Sequence, residues 1–173
     1  MASRMFWKGI LVIISVFGLA FYGFADDLKL NCTWAGVAES ASMEVTFNNG
    51  NYEASMDGIP TDRGTYTTKG DNITFQLIYI HSRSPLLRGL GDRLATGWYP
   101  KDQMLATIEK TIGEVSKEDC NLLTSFPVFT YYTYSYIGND FNESTLPIFT
   151  YTINSSTLTI KGKKASTFLK KLN

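Results

Sequence analysis

Thr65-Tyr66-Thr67-Thr68-Lys69-Gly70-Asp71-Asn72-Ile73-Thr74-Phe75 decides the fold, because the same design returns as Thr150-Tyr151-Thr152-Ile153-Asn154-Ser155-Ser156-Thr157-Leu158-Thr159-Ile160. Each copy reads as a strand, a tight polar turn and a second strand rich in β-branched and aromatic residues. A chain that reuses hairpins must protect, pair or close its outermost strands. Closure gives a barrel with an interior, and that is the expected architecture.

The neighbouring sequence extends the pattern. Met43, Val45 and Phe47 alternate with Glu44, Thr46 and Asn48, the period of a half-buried strand. Asn48-Asn49-Gly50-Asn51 supplies an Asn-Gly turn, and Tyr52, Ala54 and Met56 mark the inward face of the return strand. Asp57-Gly58-Ile59-Pro60 is read as a break. Strands follow over 63–68, 72–80, 148–153, 157–161 and 164–169, with another along 131–137. The expected fold is therefore mainly all-β, an eight- to nine-stranded antiparallel up-and-down barrel.

The middle of the chain departs from this rhythm. Residues 81–99 carry Pro85, Gly89, Gly91 and Gly97 and read as a loop. Over 101–112, Met104, Leu105, Ile108 and Ile112 share one helical face. Ser116 followed by Lys117, Glu118 and Asp119 resembles a helix start, with a short helix expected to about Leu123. The whole of 81–125 is an insertion, and long insertions in compact domains are either lids and binding loops or covers.

Residues 1–25 are set apart from the domain. Arg4 and Lys8 precede an uncharged apolar run, and Gly23-Phe24-Ala25 places small residues before Asp26, the pattern of a cleaved secretory signal peptide. The expected domain is 26–173, exported to a periplasm, cell envelope or extracellular space. Any membrane tie would run through an uncleaved signal or a lipid anchor on Cys32. The whole chain carries 16 basic and 16 acidic residues, so no basic field invites nucleic acid. Lys161, Lys163, Lys164, Lys170 and Lys171 read as protection of a strand edge. Cys32 and Cys120 form either one disulfide or two free thiols. A bridge closing so long a loop would contribute roughly 4–5 kcal/mol by chain entropy.

Leu30-Asn31-Cys32-Thr33-Trp34, Phe47-Asn48-Asn49-Gly50-Asn51-Tyr52, Gly64-Thr65-Tyr66-Thr67, Phe149-Thr150-Tyr151-Thr152, Leu158-Thr159-Ile160 and Thr167-Phe168-Leu169-Lys170 together carry a likeness. On these residues the chain resembles the lipocalin-like (calycin) proteins, and among them the small exported bacterial domains of that type. The resemblance implies a closed barrel with Trp34 packed across one end. Cys32 stands where the family's first-strand Gly would be, no Arg follows Arg93, and Thr61-Asp62-Arg63 is a fragment of the family's Thr-Asp-Tyr.

Chemistry-bearing constellations are sparse. His81 is the one histidine, and no nucleophile motif accompanies it, so no enzyme is expected. Neither a metal-ligand cluster nor a phosphate loop is present in the sequence, so no cofactor is expected. Residues 126–136 are the most aromatic stretch, with Tyr132, Tyr134 and Tyr136 on one strand face. These three, with Phe75, Leu77 and Trp98, are the expected wall and rim of an interior site for a small apolar or amphipathic ligand. The alternative is a barrel filled by its own side chains, acting as an envelope structural or protein-interaction module.

Overall fold

A computed structural model describes residues 27–38, 41–87, 94–112, 148–162 and 166–172. Their strands are β1 (Thr33–Ala38), β2 (Ala41–Asn48), β3 (Asn51–Met56), β4 (Ile59–Lys69), β5 (Asn72–His81), β6 (Trp98–Pro100), β7 (Ile148–Asn154), β8 (Thr157–Lys161) and β9 (Ser166–Lys171). Two α-helices, α1 (Asp27–Leu30) and α2 (Lys101–Ile112), and a 3-10 helix over Pro85–Leu87 accompany them. All nine strands form one antiparallel sheet. Eight of them close in a barrel-like ring, β1-β2-β3-β4-β5-β7-β8-β9 and back to β1. β6 stays outside that ring and pairs with the end of β5, Ile80 opposite Tyr99 and His81 opposite Trp98.

The alternation read from sequence sets the inside of the ring. Met43, Val45 and Phe47 of β2 are buried, as are Tyr52, Ala54 and Met56 of β3. The two hairpin copies are β4–β5 and β7–β8, and they lie side by side in the ring through Asn72–Thr74 of β5 and Ile148–Thr150 of β7. The Asn49-Gly50 turn has φ of 47° and 80°, the left-handed pair that joins two right-twisted strands through two residues.

Several boundaries differ from expectation. The break at 57–60 is only the two-residue turn Asp57-Gly58, with φ of 50° and 74°, and pairing restarts at once with Ile59 opposite Met56. Pro60 is tolerated because the β3–β4 ladder shifts register just beyond it, between Ala54 and Ser55. The described part of β9 starts at Ser166, with Thr167 and Leu169 inward opposite Ile160 and Leu158. β9 is paired on both sides, so Lys170 and Lys171 guard no open edge; they stand at the β1–β9 closure.

Residues 101–112 form α2 as their spacing predicts, with Asp102 in its first turn and Lys110 in its last, both favourable to the helix dipole. Met104 is buried with Leu77, Ile80 and Leu87 in a small second cluster. At one end of the ring Trp34 is 1% exposed, its Nε1 donating to the Leu30 carbonyl at 3.0 Å. The helix expected at 116–123 and the strand expected at 131–137 lie outside the described residues, as does the signal segment 1–25.

Candidate functional site: an outer groove on a filled ring

The interior of the ring is occupied by the protein's own rings. Phe75 stands at the centre, 6.2 Å from Phe47, 5.5 Å from Tyr52 and 5.9 Å from Phe149 between ring centroids. Phe47 meets Tyr66 edge-on at 5.0 Å and 83°. Edge-to-face contacts of this kind add to the burial term itself. Phe75 and Leu77, expected on a ligand wall, are 1% and 3% exposed and pack as core. Trp98 lies on β6, outside the ring of eight. Tyr132, Tyr134 and Tyr136 lie outside the described residues. Cys32 is half-buried, and among the described residues its thiol has no disulfide partner; burial raises it above its ordinary pKa while nearby Lys171 acts oppositely, and Cys120 is outside the described residues.

A polar cluster sits where β4 begins and β5 ends. The buried Asp62 accepts from the Thr61 hydroxyl at 2.8 Å. Burial first, then the Asp62 carboxylate, pushes the Tyr52 phenol well above its ordinary 10, so it stays protonated. His81 Nδ1 accepts the Arg83 backbone N–H at 3.2 Å, which leaves the proton of the neutral ring on Nε2. Among the described residues no hydroxyl or thiol hydrogen-bonds to His81.

Burial foremost, then the charge of Arg83, holds His81 below its ordinary 6.5, while Glu53 acts in the opposite direction. The unfolded chain therefore takes up the proton first as pH falls. Stability should decline as pH drops through about 6.5 and level off below the folded-state pKa. Urea midpoints measured from pH 7.5 to 5 should show that decline, and His81→Gln should flatten it.

An open space lies on the outside of the sheet. A groove of about 410 Å³ runs across β2 to β5, a size within the range of small-molecule sites. Its walls include Thr46, Asn48, Asn51, Glu53, Arg63 and Tyr79. Thr46, Glu53, Arg63 and Tyr79 are successive cross-strand partners, one from each of β2, β3, β4 and β5. The register shift between Arg63 and Gly64 brings Arg63 opposite Tyr79, with Ile78 as the extra residue of the bulge. Gly64 makes this possible: a Cβ there would stand 2.0 Å from the Gln76 carbonyl oxygen.

Arg63 is held between two rings, its guanidinium carbon 4.7 Å from the Tyr79 centroid and 4.6 Å from that of Trp98. Trp98 in turn meets His81 edge-on at 5.1 Å. Stacking of this type fixes the long Arg side chain while leaving the guanidinium N–H edge able to donate. Sequence reading missed Arg63, Glu53 and Tyr79, because nothing in a strand's alternation announces which outward residues a bulge will align.

Fold and groove together define a barrel-like scaffold with a polar, aromatic-backed recess on its outer wall. Compared with protein-family models, curated proteins and solved structures, the chain matches none.

Proposed function

We propose that this is an exported, lipocalin-like binding protein whose ring is a solid scaffold and whose small amphipathic ligand lies in the outer groove. The observation that carries this reading is the contrast between the two sides of one sheet. Phe47, Tyr52, Phe75 and Phe149 fill the inner side. The outer side keeps an open groove with hydroxyl, amide, charged and aromatic groups on its walls. Sites that bind small molecules combine apolar surface with a few placed polar groups, and a rigid sheet holds such groups with little reorganisation. No catalytic step is part of this reading.

A library of small amphipathic fragments screened by amide chemical shifts tests it. Hits should move Glu53, Arg63 and Tyr79 and leave Phe75 and Leu77 unmoved. Hits that move the core pair instead would return the ligand to the interior and refute the proposal.

A second reading, a protein-interaction module, is supported by one observation. Val37 of β1 and Phe168 of β9 are 74% and 64% exposed on neighbouring strands, apolar surface suited to a protein partner.

A further inference from the structure

The groove holds two opposite charges that do not satisfy each other. Glu53 and Arg63 are direct cross-strand partners, a placement that puts Cβ atoms about 5 Å apart. Nevertheless, among the described residues neither makes an ion pair, because the Arg63 guanidinium is drawn away toward the Tyr79 and Trp98 rings. A carboxylate and a guanidinium thus face one recess with their charges separated and each open to a partner.

This arrangement discriminates by charge pattern. A simple anion offered to Arg63 meets the like charge of Glu53, and a simple cation offered to Glu53 meets that of Arg63. A ligand carrying both charges a few bonds apart meets an opposite charge at each end. Asn48, Asn51 and Thr46 add neutral donors and acceptors along the same wall, and Tyr79 adds an apolar face. We propose that the groove between Glu53 and Arg63 binds a small zwitterion with an apolar side group, its carboxylate on Arg63 and its ammonium on Glu53. This rests on the outer-groove reading above and names the class of ligand for it.

The test uses three probes with one benzyl side group: L-phenylalanine, N-acetyl-L-phenylalanine, which keeps only the carboxylate, and L-phenylalaninamide, which keeps only the ammonium. Methyl glucoside serves as an uncharged control. Titrations of the full exported domain would be followed by the amide signals of Glu53, Arg63 and Tyr79. Phenylalanine should bind about tenfold or more tightly than either blocked form. Glu53→Gln should erase its advantage over the acetylated form, and Arg63→Gln its advantage over the amide. Equal binding of all three probes in the groove, or binding of the glucoside alone, would overturn the zwitterion and leave the groove reading standing. Shifts confined to Phe75, Leu77 and Phe149 would overturn both.

Discussion

Phe75→Ala is expected to cost about 3–5 kcal/mol of stability, the range for removing a fully buried aromatic side chain. Phe75 is 1% exposed and touches the rings of Phe47, Tyr52 and Phe149, which come from three other strands of the ring. Its removal leaves a void whose walls are held by the closed ladder, so the neighbours cannot collapse fully into it. Against a total of about 5–15 kcal/mol for an ordinary domain, that is a large share. Thermal unfolding should fall by roughly 10 °C, with the same ordering in urea. A loss under about 1 kcal/mol would mean that Phe75 does not fill the centre of the ring.

The second large effect is expected at Gly64. An added Cβ would lie 2.0 Å from the Gln76 carbonyl oxygen and 3.0 Å from Tyr52 Cε1. The first of these contacts is with backbone, so relief requires β4 and β5 to part where the bulge aligns Arg63 with Tyr79. Gly64→Ala should therefore cost about 3 kcal/mol or more, the upper part of the range for overpacking. Gly58→Ala is the control. A Cβ there meets nothing within 4 Å, and the residue sits at φ +74°, so only the left-handed backbone cost of about 1–2 kcal/mol applies. Equilibrium unfolding of the two variants should show Gly64 as the more damaging. The reverse order would remove the close β4–β5 approach from the explanation of the groove.

Much of the ring was legible because period-2 alternation carries its own geometry. Met43, Val45, Phe47, Tyr52, Ala54 and Met56 face inward as their spacing requires, and α2 occupies the span its periodicity marks. Turn chemistry was legible where two residues must take positive φ, as at Asn49-Gly50. The site was not. Phe75 and Leu77 read as ligand wall, and strand composition does not separate a wall from a core. The role of Phe75 depends on what stands across the ring and that of Leu77 on Leu87 and Met104 packed against it, and both are long-range facts. Arg63, Glu53 and Tyr79 come into line only through strand order and a one-residue shift, neither of which a local pattern encodes.

The central claim is that the ring is solid and that binding takes place on its outer wall. Crystals of the wild-type domain and of Phe75→Ala, pressurised with xenon, test it most directly, because xenon enters dry apolar cavities. The wild type should hold no xenon atom inside the ring, and Phe75→Ala should hold one at the vacated ring position. Xenon bound inside the wild-type ring, among Phe47, Tyr52, Phe75 and Phe149, would contradict the claim.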